Sequence, residues 1–219
     1  MDLKLIISKD GSHTIYRKDI DETYHSRHGA VQEALHVFIS KGLKEIEKSK
    51  RPINILEVGF GTGLNALLTC LNSTSEVNYI GLEAAPLSIK VLDSLNYDTM
   101  VVQDNSQEIF KNIHDSPWDA LCSISGLFSI KKIETTIQDF EITEPIDLVY
   151  YDAFGPSSQA EMWDVSIFEK IYKAMRSQGV FVTYCAKGQV RRDLKSVGFV
   201  MERLEGPPGK REMLRGRKL

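Results

Sequence analysis

The sequence predicts an α/β protein built on an open, doubly wound, Rossmann-like sheet that is mostly parallel and closes with a terminal antiparallel hairpin. Three observations predict it. From Pro52 onward, short β-branched runs without a polar face alternate with amphipathic helical stretches, the pattern of strands covered on both sides. Several of these runs end in glycine or a carboxylate, the position where such sheets bind ligands. The last two runs, "FVMERLE" and "KREMLRGR", are separated by "GPPG", which reverses the chain.

In chain order, "KLIISKDGSHTIYRKD" has strand-like runs on either side of Asp10-Gly11. This predicts an N-terminal β-hairpin extension, packed at an edge of the main sheet or over its cleft. "GAVQEALHVFISKGLKEIEKSK" sets Val31, Leu35, Phe38, Ile39, Leu43 and Ile46 at helical intervals, with lysines in the last turns where they suit the dipole. "INILEVGF" predicts the first main strand, "GLNALLTCLNS" a helix and "VNYIGLEA" a second strand. "PLSIKVLDSLNY" and "NSQEIFKNIH" predict helices, and "LFSIKKIETTIQDFEI" alternates well enough to predict a strand ending at Asp139. "PIDLVYYDAF" follows as a strand, "VSIFEKIYKAMRS" as a helix, "GVFVTYCA" as a strand and "KGQVRRDLKSVG" as a helix. No repeat, low-complexity tract or Gly/Ser/Pro-rich linker divides the chain. Residues 1–50 are therefore read as a hairpin-and-helix extension and 51–219 as the main domain of one compact unit.

At 219 residues the chain is long enough to bury about 70% of its unfolded surface, with no disulfide or metal needed. Cys70, Cys122 and Cys185 are an odd number without paired spacing, the usage of buried thiols in a reducing cytoplasm. No stretch approaches about 20 apolar residues, so a soluble, cytoplasmic protein without a membrane partner is expected. Net charge is −3 and the isoelectric point about 6.0, so any nucleic acid must be held by a local basic patch.

The first main strand runs into "EVGFGTGLN", Glu57 to Asn65. Gly59, Gly61 and Gly63 allow a tight turn against a helix N-terminus. Their Gly-x-Gly-x-Gly spacing departs from the diphosphate-binding pattern, and Glu57 favours a cationic or amine-bearing ligand. Glu83 ends the second strand, where a carboxylate accepts hydrogen bonds from both hydroxyls of a ribose. Two carboxylates compete for the end of the third: Asp139 is favoured as partner of an adenine amino group, and Asp104 as the N-cap of the helix after it. Asp152 ends the fourth. Acidic strand ends without a phosphate cradle suit S-adenosylmethionine, in the layout of a class I S-adenosylmethionine-dependent methyltransferase. His25 and His28 lie three apart with no ligand partner at metal spacing, so they are read as solvent or loop histidines and no metal is expected.

The segments "DETYHS", "EVGFGTGLN", "GLEAAPLS", "YYDAFGPSSQAEMW" and "YCAKGQVRRDLKSVGFVMERLEGPPGKREMLRG" resemble the methyltransferase domain of the MnmC-type tRNA-modifying enzymes. The last two are the most specific, and the likeness runs from about Asp21 to Gly216. The resemblance implies methyl transfer to the exocyclic amine of 5-aminomethyl-2-thiouridine at the tRNA wobble position. It also implies that Tyr24 closes over the cofactor. Many members carry a second, flavin-dependent oxidoreductase domain. Because the sequence stops at Leu219, the stand-alone methyltransferase form is expected, with the free amine supplied by other enzymes. Ala160 stands where the family has Pro.

Asp152 is assigned to orienting the amine first and accepting its proton second, and Phe154 to packing against the uracil or to the core. Met162-Trp163 reads as a packed loop anchor. Positive charge comes late in Lys187, Arg191, Arg192, Lys195, Lys210, Arg211, Arg215, Arg217 and Lys218. Lys187, Arg191, Arg192, Lys210 and Arg211 are the candidate tRNA contacts. A small-amine methyltransferase would share the cofactor loop but lack the basic helix and hairpin. A non-catalytic RNA-binding module would keep the basic patch without needing Glu83 or Asp152.

Overall fold

Residues 2–47 and 51–219 are described by the computed structural model. Apolar–polar alternation shapes the N-terminal part: β1 (Leu3–Ile7) and β2 (His13–Arg17) pair antiparallel, and β3 (Glu22–Thr23) adds to β2. This small sheet is separate from the main one. Residues 30–46 then form helix α1, whose middle, Leu35–Leu43, is π-helical. The wider turn rotates the buried face. Val37, Phe38 and Leu43 are buried, whereas Leu35, expected in the apolar stripe, is 37% exposed. Gly42 lets α1 lie close on the sheet, since a Cβ there would stand 3.2 Å from both Tyr150 and Val182. The predicted last turn, residues 48–50, lies outside the described residues.

The main domain follows as β4 (Ile53–Val58), α2 (Leu64–Asn72), β5 (Val77–Glu83), α3 (Ser106–Asp115), β6 (Leu121–Ser125), β7 (Phe128–Glu134) and β8 (Ile146–Tyr151). It continues through α4 (Val165–Ala174), β9 (Met175–Thr183), α5 (Gly188–Ser196), β10 (Val200–Glu205) and β11 (Glu212–Arg217). Single helical turns lie at Ile89–Leu92, Tyr97–Met100 and Ala160–Trp163. The eight-stranded sheet has the order β10-β11-β9-β8-β4-β5-β7-β6. The five strands from β9 to β7 are parallel, and β6, β11 and β10 are antiparallel to their neighbours. All of β8 is buried, with a core layer on each face: Phe38, Tyr79, Tyr150 and Val182 on one, Val149, Tyr151, Phe168 and Phe181 on the other. This is the Rossmann-like, class I methyltransferase type of sheet, with both hairpins in place.

Three local expectations are corrected, and one strand is added. The third parallel strand ends at Glu134, and Asp139 lies beyond it in an exposed turn closed by the Thr136 hydroxyl, which donates to Asp139 Oδ2 at 2.7 Å. Asp104 does not cap α3; Asn105, in the left-handed region at φ 64°, occupies that position. Met175 to Ser177 start β9 rather than ending α4, because Met175 is drawn into the core at 3% exposure. β6 carries no apolar run of its own and forms by pairing with β7.

Candidate active site

Glycines shape the turn after β4. Gly59, Gly61 and Gly63 all have positive φ, at 91°, 53° and 74°. A Cβ on Gly59 would stand 2.8 Å from the backbone oxygen of Asp152, so only glycine lets the turn approach the end of β8 this closely. Glu83, at the end of β5, accepts the N–H of Gly61 at Oε2 and that of Ala85 at Oε1, both at 2.9 Å. Beneath the turn, Asn65 Nδ2 donates at 2.8 Å to Glu57 Oε1 and at 2.8 Å to Asp152 Oδ2. Glu57 is fully buried, and burial, with the Asp152 charge adding to it, holds its carboxyl well above the usual range. Burial and the Glu33 charge raise Asp152 likewise, against the pull of Asn65 and Lys210.

The segment after β8 is held rigid by its neighbours. Trp163 Nε1 donates to Phe154 O at 2.8 Å, the Tyr184 hydroxyl to Ala153 O at 2.9 Å, and Tyr151 to Met162 O. Phe154 meets Tyr24 edge-on at 5.0 Å between centroids, with the Arg17 guanidinium over its ring.

Two cavities meet at this segment. The first is lined by Tyr24, Gly59, Gly61, Glu83 and Thr135 to Ile137. The second is lined by Glu22, Glu33, Tyr184 and Lys210. Tyr24, His25, Asp152, Ala153 and Phe154 belong to both. Tyr24, Gly59, Gly61, Glu83, Asp152 and Phe154 are thus brought together, with Glu57, Gly63 and Asn65 beneath them. Asp139 is not; the backbone of Thr135 to Ile137 takes its place on the wall.

The chain can now be compared with known proteins. Residues 124–219 match the family described as S-adenosyl-L-methionine-dependent methyltransferase. The tRNA 5-methylaminomethyl-2-thiouridine biosynthesis bifunctional protein MnmC of Cupriavidus metallidurans is 30% identical over 224 residues, covering 95% of this chain and 33% of that protein. The protein of the same name from Burkholderia thailandensis is 29% identical over 228 residues, covering 97% of this chain and 34% of that protein. The chain is similar to these MnmC proteins over nearly all of its own length. It spans about a third of the length of these curated relatives. The fold is shared with MNMC2 from Aquifex aeolicus, at a TM-score of 0.80 and 24% identity over 99% of this chain and 70% of that one. Spermidine synthase from Thermotoga maritima shares it more loosely, at a TM-score of 0.62 and 12% identity over 98% and 67%.

The site fits a cationic, ribose-bearing cofactor on its own chemistry. Glu57 Oε2 and Asn65 Oδ1 are buried without a hydrogen-bond partner among the described residues, the glycine turn leaves room for close approach, and the walls carry carboxylates. His25, read from sequence as a solvent or loop histidine, is buried, with Nε2 2.6 Å from Thr62 Oγ1. Burial pushes its pKa down to about 4, so it is neutral. His28 is exposed, over the Gly209 turn. Arg17, Glu33 and Tyr184 went unread in the sequence; Glu33's place among the apolar residues of the first α1 turn is the one signal that pointed inward.

The basic residues divide. Arg211 is exposed, Arg191 is half-buried, Arg192 donates to Gln189, and Lys187 donates to Ser157 Oγ at 2.6 Å on the loop beside the second cavity. Arg215 and Arg217 pair with Glu45 and Glu202, and Lys218 donates to the carbonyls of Tyr172 and Met175. These last three are engaged within the fold.

Proposed function

We propose that this chain is a tRNA N-methyltransferase that converts wobble 5-aminomethyl-2-thiouridine to its 5-methylaminomethyl form with S-adenosylmethionine. The observation that carries the reading is Asp152, which stands on the wall shared by the glycine-turn cavity and the second cavity. The function in the relatives' name, 5-methylaminomethyl-2-thiouridine biosynthesis on tRNA, supports the substrate class.

The cofactor supplies an electrophilic methyl on a sulfonium. Gly59, Gly61 and Gly63 would admit it, Glu83 would accept hydrogen bonds from its ribose hydroxyls, and Glu57 with Asn65 would support the positive end from below. Tyr24 would cover it from the N-terminal sheet. In the second cavity Asp152 accepts a hydrogen bond from the substrate amine and aligns its lone pair with the methyl carbon. With the methyl donor bound, Asp152 would take up the proton that the amine nitrogen must lose on methylation. Phe154 packs beside the base, while Lys187, Arg191, Arg192 and Arg211 face the tRNA phosphates. The enzymes that make the aminomethyl group would act just before this one.

The test is methyl incorporation into tRNA bearing the aminomethyl group, with a free polyamine as competitor substrate. Asp152→Asn is expected to lower kcat by about 10²- to 10⁴-fold while cofactor affinity changes less than about tenfold. Methylation of the polyamine with none on the tRNA would overturn the reading in favour of a small-amine enzyme. Tight tRNA binding with no cofactor uptake would indicate a binding module.

A further inference from the structure

Lys210 is expected from sequence to meet phosphate, yet its ammonium is directed inward. Its Nζ lies 2.6 Å from Glu33 Oε2 and 3.8 Å from the centre of the Tyr184 ring, with 31% of the side chain exposed. The other Glu33 oxygen accepts the Ser26 N–H at 3.0 Å, and the Glu33 side chain is 7% exposed. Both line the second cavity with Asp152. Among the described residues, the charged and titratable groups facing Lys210 and Asp152 include Glu33 from α1, Glu57 from β4 through Asn65, Tyr184 and Cys185 beyond β9, Glu22 and the neutral His25 from the β3 segment, and His28 against the Gly209 turn.

A lysine serving phosphate keeps its head in water. This one has given up much of its hydration to face a carboxylate and a ring, an arrangement stable only when the partner is close and well bonded. Without its ammonium, Glu33 and Asp152 would be two like charges on one small cavity, and such a pair does not stay doubly ionised.

Resting on the methyl-transfer reading above, we propose that Lys210 is a positioning residue of the transfer site: held by Glu33 and Tyr184, it is the counter-charge that lets two carboxylates face one acceptor amine, and it does not contact tRNA phosphate. Lys210 acts through Asp152. Glu33 raises the proton affinity of Asp152 and Lys210 lowers it, consistent with this role.

The experiment compares wild type, Lys210→Met and the double variant Glu33→Gln/Lys210→Met, each checked for folding by thermal melting. It measures the pH profile of kcat on aminomethyl tRNA, tRNA affinity against salt, and the carboxyl carbon NMR titration of Asp152. In Lys210→Met the acid limb of kcat and the Asp152 titration are expected to move up by about one to three pH units. The salt slope of tRNA binding stays at the wild-type value. In the double variant, which removes the ammonium together with its direct partner Glu33, both readouts return toward wild type. A salt slope reduced by about 0.7–0.9 in both variants, with the Asp152 titration unmoved, overturns the proposal in favour of a phosphate contact. A double variant no better than the single one overturns it too. If wild type methylates no tRNA, the functional reading fails, and the Asp152 titration still decides the role of Lys210.

Discussion

Asn65 directs one amide nitrogen at two carboxylates, and the geometry of the site depends on that bridge. Glu57 and Asp152 are held side by side where burial disfavours their charge, so a bound cation relieves both. The glycine above them has no substitute. In Gly59→Ala the new methyl would meet the Asp152 carbonyl at 2.8 Å in a backbone conformation of φ 91°. Chemical denaturation should show a loss of about 1–3 kcal/mol, and methyl transfer should fall more than about tenfold because Asp152 is displaced. His25 makes a separate, pH-dependent contribution. Its folded pKa of about 4 lies below the unfolded value of about 6.5, so the unfolded chain binds the extra proton between them. This stability is fully present above about pH 6.5 and is lost as pH falls toward 4, on the order of 3 kcal/mol. His114, pushed down to about 4 mainly by burial, adds a similar slope. Unfolding free energies measured between pH 7.5 and 5 should therefore fall in wild type and fall less in His25→Gln, whereas equal slopes would mean that His25 is not held neutral.

At the level of elements, the loop after β8 owes its shape to bonds made outside it. Trp163→Phe keeps most of the packing and removes the donor to Phe154 O, so the cavity wall at Phe154 loosens while the fold holds. The expected result is a KM for tRNA raised several-fold, with the melting temperature lowered by about 2–4 °C; an unchanged KM would show that the bond does not set the loop. The anchor role of Met162-Trp163 was legible in the sequence, as were the N-terminal hairpin and all five parallel strands, because hydrophobic periodicity and turn residues are local signals. β6 and the start of β9 were not. Their strand character comes from pairing with β7 and β8, and β6 has Leu121 exposed beside polar residues. Asp139 was misplaced for the same reason: alternation in "IETTIQD" continues past the last residue that has a partner. Glu33 and Lys210 are 177 positions apart, and no local pattern reveals that they meet.

Over the whole molecule the net charge is −3, with Glu22, Glu33, Glu83 and Asp152 lining the two cavities, while Arg192, Lys195 and Arg211 are exposed in α5 and the final hairpin. Charge-reversing Arg192 and Arg211 together should weaken tRNA binding and flatten its dependence on log salt by about 0.7–0.9 for each phosphate no longer neutralised, as read by titrations at several salt concentrations. Methylation of a short anticodon stem-loop, which offers fewer phosphates to these residues, should suffer less. The sheet order has a consequence for how the molecule is made. β11 follows the other ten strands of the described residues in chain order, yet it sits inside the sheet between β9 and β10. Until it emerges from the ribosome, β9 has an unpaired edge and β10 has no neighbour to join. The turn that carries Lys210 is placed by the same closing event. The segment of the glycine turn is therefore made well before the turn that carries Lys210, so the two cavities draw on parts of the chain far apart in order of synthesis.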